Sequence, residues 1–304
     1  MLDLLLLAMV VIWGSNFSVI KVALRDFPEL PFNALRLLLS SAILVGLVWW
    51  DRRRRAAGGR DRAPVFTPAD WRRLVLLALV GHLVYQLCFL GGVARTSVAN
   101  SSLIFGCTPV MVALLSSLAG HERVPPLRWA GAALSVAGIY VLIGHRAALS
   151  TATVLGDALM FAAMTCWSAY SVLSKPLLAR HSPLAVTAWS MTIGAVLYAL
   201  VTVPAARATD WAGISVQSWV LMVLSSVFAL AVAFLIWYTG VQRIGSSRTA
   251  AYSNLTPVVA MAVAAVWLGE PVATTQLAGA AAILGGVLIT RWSAAPTPPV
   301  GRPA

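Results

Sequence analysis

The sequence predicts an all-α membrane protein of ten transmembrane helices, arranged as two inverted five-helix repeats with both termini in the cytoplasm. Three observations lead there. Hydrophobic residues make up 60% of the 304 and charged residues only 11%, less than half the roughly 25% charged share of soluble domains. A water-facing surface cannot be assembled from that supply. Apolar stretches of the ~20 residues that span a bilayer core recur along the chain, and the second half repeats motifs of the first at matching offsets.

The ten spans can be drawn in order. In the first half they cover 2–24, 31–50, 74–93, 97–118 and 127–144, and in the second 155–174, 183–203, 219–239, 247–268 and 274–292. The opening MLDLLLLAMVVIWG has no basic n-region and no small-residue cleavage site, so it reads as a retained first span rather than a signal peptide. The Pro/Ala-rich residues 293–304 read as a disordered tail.

An even number of spans returns both termini to one side. With that side cytoplasmic, the inner connections hold eight arginines between Arg52 and Arg73 alone, while the outer ones hold only Arg25, Arg95, Arg146 and Arg207. That is the asymmetry of the positive-inside rule. The net charge of +12 is thus topological. The basic run DRRRR from Asp51 lacks the interleaved aromatics that stack on single strands, and no nucleic-acid partner is expected. Lys21 and Arg36 fall inside spans near their outer ends, where long side chains can snorkel to water. Cys88, Cys107 and Cys166 lie in apolar spans without CxxC spacing and read as packing residues, so neither a metal nor a cofactor is expected.

The internal repeat is the strongest signal. WGSNFSVIK (Trp13–Lys21) aligns with WSAYSVLSK (Trp167–Lys175), and Asp3 falls opposite Asp157. The segment from Thr108 aligns with that from Thr256, pairing Pro109 with Pro257, Glu122 with Glu270, Gly131 with Gly279 and Gly138 with Gly286. Five spans per copy is an odd number, so the second copy enters the membrane from the opposite face. Inverted repeats of this kind mark secondary transporters, whose substrate sites lie near the midplane at the repeat interface; channels share the arrangement.

The duplicated T-P-V…E…G…G pattern, with WGSNF near the start, resembles the drug/metabolite transporter superfamily in its ten-helix EamA-like exporter branch. The resemblance covers essentially the whole chain. It departs at GHER, where the second copy carries LGEP. It implies two repeats, at 1–146 and 153–292, that export small metabolites from the cytoplasm of a bacterium across its inner membrane, with no enzymatic activity. The partners it implies are a small-molecule substrate and the lipid bilayer.

Candidate site residues come from comparing the two copies. His82, Tyr85, Gln86 and Phe89 recur at helical steps of three and four and should share one face. Aligned through Gly92 and Gly240, they fall opposite Leu230, Ala233, Phe234 and Trp237. The fold does not demand the polar stripe, which makes it a candidate cavity lining; mutual satisfaction in packing is the alternative. Trp13, Asn16 and Phe17 on the first span and Phe105 on the fourth lie at comparable depth. Trp167 and Tyr170 on the sixth, Trp237 on the eighth, and Tyr252 and Asn254 on the ninth extend the set. Pro109 and Pro257 release the carbonyls of Phe105 and Ser253 and read either as hinges or as static kinks.

No Asp or Glu falls mid-span, so a permanent cation finds no counter-ion. An aromatic wall with a few hydrogen-bonding groups suits a neutral or zwitterionic molecule carrying a ring. The reading is a secondary transporter exporting aromatic or other neutral amino acids by alternating access. Export of other metabolites or drugs, or a channel-like facilitator, is the alternative.

Overall fold

The structure, a computed structural model, describes residues 1–57, 64–118, 127, 129–131, 133–134, 137–138, 141, 151–245, 249–250 and 252–292. Among them all regular structure is helical and no strand occurs. The helices are α1 (Leu2–Ala23), α2 (Glu29–Ala57), α3 (Pro68–Arg95), α4 (Val98–Leu118), α5 (Thr151–Leu173), α6 (Pro183–Arg207), α7 (Val216–Ile244), α8 (Thr256–Leu268) and α9 (Thr274–Trp292). Among the described residues six of these, α1 to α4, α6 and α7, are long and apolar enough to cross a bilayer. The chain is a multi-pass membrane protein. Glu122, the residues 293–304 and most of the expected fifth span lie outside the described residues.

Four helix starts are written in the sequence as side-chain caps. Ser97, Ser182 and Ser215 each accept from the backbone N–H three residues on, at 3.1–3.2 Å, to start α4, α6 and α7. Thr67 and Asp70 cap each other reciprocally before α3, with Pro68 in the first turn. Each satisfies a donor that the helix itself leaves orphaned.

Sidedness is that of a protein in lipid. Leu4, Leu200 and Val266 face outward, whereas Trp167, Trp237, Tyr170 and Phe32 are fully buried. At the end of α2, Trp49 and Trp50 are exposed and carry the guanidinium groups of Arg53 and Arg54 at 3.4 and 4.1 Å from their ring centroids. That is the aromatic and basic dress of a membrane–water boundary.

Two features interrupt the helices where they meet the interior. The first is π-helical geometry. It occupies Leu79–Val84 within α3 and Ser225–Val232 within α7, the third and eighth expected spans, and also Ala264–Leu268 at the end of α8. The i→i+5 pattern of a π segment shifts the phase of everything beyond it. The second is a break before each repeated proline. α4 turns at Gly106–Cys107 before Pro109, and a single 3₁₀ turn, Ser253–Leu255, precedes Pro257. The carbonyl of Phe105, which Pro109 cannot bond, is taken by the Thr108 hydroxyl at 2.5 Å. The two breaks touch: a Cβ on Gly106 would sit 2.8 Å from Pro257 Cγ.

Small residues set the closest helix contacts, as lipid-embedded packing requires. A Cβ on Gly92 would meet Met160 Sδ at 2.6 Å, and one on Gly138 would meet the Gly279 carbonyl at 2.9 Å.

Candidate functional site

The helices line a partly open cavity, whose atom-free space together with the adjoining open solvent is about 590 Å³. α1 contributes Trp13, Asn16 and Phe17, and α3 contributes Tyr85, Gln86 and Phe89. Phe105 comes from α4, Trp167 from α5 and Phe234 from α7. These rings form one continuous wall. Phe17 packs on Phe89 at 5.5 Å between centroids, Phe89 on Phe105 at 5.8 Å, and Tyr85 on Trp167 at 5.4 Å. Trp167 then meets Phe234 at 4.9 Å and Trp13 at 5.5 Å, both edge-on. Edge and offset geometries of this kind are favourable and fix ring orientation.

The π segment of α7 anchors the helices around the cavity. The Trp13 indole N–H donates to the Ala229 carbonyl at 3.0 Å, and the Ser225 hydroxyl donates to Asn16 Oδ1 at 2.5 Å. Ser40 of α2 donates to the Ser226 carbonyl at 2.8 Å. α1 and α2 are therefore both fastened to the irregular stretch of α7, through the Ala229 and Ser226 carbonyls and the Ser225 hydroxyl.

Of the stripe expected on one face of α3, Tyr85, Gln86 and Phe89 line the cavity and His82 does not. The three-and-four spacing presumes an uninterrupted α-helix, but His82 lies in the π segment, whose different pitch turns it away. Its Nε2 lies 2.9 Å from Tyr170 Oη and 3.3 Å from Ser190 Oγ, and Tyr170 and Ser190 are 3.0 Å apart. His82 Nε2 and Tyr170 thus pair in a closed triad one layer behind the wall, while His82 Nδ1 has no hydrogen-bond partner among the described residues; the His82 ring stacks on Phe234 at 5.8 Å. Close approach makes room for this. A Cβ on Gly194 would lie 2.2 Å from His82 Cβ, and one on Gly81 would lie 2.4 Å from the Tyr170 ring.

Trp237 also sits in the second layer, 5.5 Å from Trp13 and 5.4 Å from Trp167. Tyr252 donates its hydroxyl to Asp3 at 2.5 Å, near the start of α1. The side chain of Asn254 lies outside the described residues.

The lining also holds Arg36, Ser102, Thr108, Leu230, Ser253 and Thr256, which neither spacing nor the comparison of the two copies singles out as lining. Arg36 matters most. It was expected to snorkel outward, yet it is 1% exposed and is the one charged residue of the described lining. It stands seven residues inside α2, ~10 Å along the axis from Glu29, too deep for a solvated head group. Lys21 does not snorkel either: its Nζ donates to the carbonyls of Val93 and Thr96, at 2.9 and 2.6 Å, capping the end of α3. Among the described residues no group of three His, Cys, Asp or Glu side chains could hold a metal.

Comparison with known proteins agrees with this architecture. The sequence matches the EamA-like transporter family over residues 1–144 and 154–292. The chain belongs to that family. It is 25% identical over 288 residues to an uncharacterized transporter of Bacillus subtilis, covering 94% of this chain and 92% of the relative. A probable terminal-alkyne amino-acid exporter of Streptantibioticus cattleyicolor is 29% identical, with 93% and 91% covered. A probable amino-acid metabolite efflux pump of Salmonella typhimurium is 28% identical, with 94% and 93% covered. A solved crystal structure superposes with a TM-score of 0.68 at 21% identity, covering 96% of this chain and 99% of the other, which shows a shared fold. Family and relatives indicate a transporter rather than an enzyme.

Proposed function

We propose that this EamA-family transporter exports small metabolites from the cytoplasm across the bacterial inner membrane, foremost aromatic and other neutral amino acids. It does so by alternating access between two inverted five-helix repeats, 1–146 and 153–292, with both termini cytoplasmic. The observation that carries the reading is the continuous aromatic wall built by Trp13, Phe17, Tyr85, Phe89, Phe105 and Trp167. A ring-bearing solute buries its face there, and Asn16 and Gln86, whose Oε1 has no hydrogen-bond partner among the described residues, supply orientation. The relatives named as amino-acid exporters support the same substrate class.

Pro109 and Pro257 are the hinges in this reading. Each follows a break in its helix, and a break concentrates bending where few hydrogen bonds must rupture. The His82–Tyr170–Ser190 triad and Trp237 act from the second layer, holding Phe234, Trp167 and Trp13 in place.

Counterflow of radiolabelled phenylalanine and tryptophan in proteoliposomes tests the function. Saturable uptake above empty liposomes is the expected result. Flux indistinguishable from empty liposomes removes the aromatic amino-acid assignment, and non-saturating flux favours a channel-like facilitator.

A further inference from the structure

The Arg36 guanidinium is buried in the wall of the cavity with no carboxylate partner among the described residues. Its Nη1 donates to the neutral Asn33 Oδ1 at 3.0 Å, and its carbon lies 5.3 Å from the Phe32 ring centroid. Its Nε has no hydrogen-bond partner among the described residues. No Asp or Glu is among the described lining residues. Burying a cation is costly, and folds normally offset the cost with a paired anion. Here Asn33 and a ring face offset part of it, and the side chain lines a cavity whose other described walls are neutral.

A guanidinium is the side chain best matched to a carboxylate. It is planar, stays charged, and offers parallel N–H groups that meet two oxygens at once. The rest of the described lining is neutral, with ring faces and polar groups that include Gln86 Oε1 and Thr256 Oγ1, neither of which has a hydrogen-bond partner among the described residues. These can accept from an ammonium or hydroxyl group but do not demand one. One cation balances one negative charge.

We propose that Arg36 anchors the carboxylate of the transported molecule, so that the cavity selects monocarboxylates with an apolar, ring-bearing body whether or not an α-ammonium is present. The proposal rests on the reading of this cavity as the substrate site and narrows its chemistry. The carboxylate is the obligatory group, and the ammonium of an amino acid is tolerated by Gln86 and the aromatic faces.

Calorimetric titration of the full-length protein in nanodiscs tests it, using five probes. These are phenylalanine, 3-phenylpropionate (no amine), phenylalanine methyl ester and phenethylamine (no carboxylate), and 4-methylpentanoate (no ring). We expect 3-phenylpropionate to bind at least as tightly as phenylalanine. The ester and the amine should bind at least about tenfold more weakly, as loss of a charge-assisted hydrogen bond implies. In Arg36→Gln the two phenyl carboxylates should weaken to the level of the ester while the ester is unchanged, and Arg36→Lys should fall between.

If ester and amine match phenylalanine in the wild type, Arg36 is not the anchor and the aromatic reading survives. If 4-methylpentanoate binds and no ring compound does, Arg36 stands and the aromatic reading fails. If no carboxylate binds above empty nanodiscs, both are overturned. A folded Arg36→Gln variant that keeps wild-type affinity for 3-phenylpropionate overturns the anchor as well. Should that variant not fold, the wild-type series decides alone.

Discussion

Gly194→Ala is the sharpest test of how α3 is held against α6. The added Cβ would stand 2.2 Å from His82 Cβ and 3.3 Å from the Ala78 carbonyl. Non-bonded carbons rest at ~3.5 Å or more, so the two helices must part by at least ~1.3 Å. His82 Cβ is fixed to its backbone, so no side-chain rotation relieves the clash. The His82–Ser190 contact at 3.3 Å has almost no slack, and the His82–Tyr170 bond at 2.9 Å would stretch with it. Overpacking of this kind costs ~1–3 kcal/mol, and each buried hydrogen bond lost adds ~1 kcal/mol. The variant should be destabilised by about 2–4 kcal/mol in equilibrium unfolding in mixed micelles, with helical content retained in the folded baseline. A variant within about 0.5 kcal/mol of wild type, the range of an uneventful surface change, would refute this account of the α3–α6 contact.

Other expectations follow from the periphery. Lys21→Met leaves the Val93 and Thr96 carbonyls without their charged donor and should cost about 2 kcal/mol, measured by the same unfolding assay. Asp26 accepts hydrogen bonds from Ser215 and Ser218, which hold its carboxyl below the ordinary value of 3.8. A depressed value stabilises the fold above that pH, and the contribution fades as pH falls through the lowered one. Thermal stability should therefore drop more steeply on acidification below about pH 4 in wild type than in Asp26→Asn; parallel curves would remove the contribution. For topology, a C-terminal green fluorescent protein fusion should fluoresce while an alkaline phosphatase fusion at the same place stays inactive, and the reverse pattern would invert the orientation.

Much of the helical frame was legible because lipid imposes a simple rule on composition. The first span, expected over 2–24, is observed as Leu2–Ala23, and the span expected to open at Pro183 does so, behind a Ser182 cap. Span ends were drawn short where polar residues continue the helix into the boundary. α2 runs on through Arg52–Arg55 to Ala57, and α3 begins at Pro68 rather than at 74.

The cavity was partly legible. Tyr85, Gln86 and Phe89 share the cavity face because three-and-four spacing holds in the regular half of α3. His82 was misplaced because a π segment changes the pitch without leaving a mark in composition. Arg36 was missed for a different reason. Its long stem suggested an escape to water, and only packing shows that the escape is closed.

α2 also works as a ruler. Its Trp49 and Trp50, clasped by Arg53 and Arg54, fix where the helix leaves the bilayer. Arg36 lies thirteen residues earlier, ~20 Å along the axis, in a hydrocarbon layer ~30 Å thick. The guanidinium therefore sits about a third of the way in from the Glu29 end, an off-centre electrical depth. One charge moved through a full 100 mV is worth ~2.3 kcal/mol, so a carboxylate reaching Arg36 from the Glu29 end would sense roughly 0.8 kcal/mol of it, about a fourfold change in occupancy. Through that offset the membrane voltage itself would weight the anion's occupancy of the cavity.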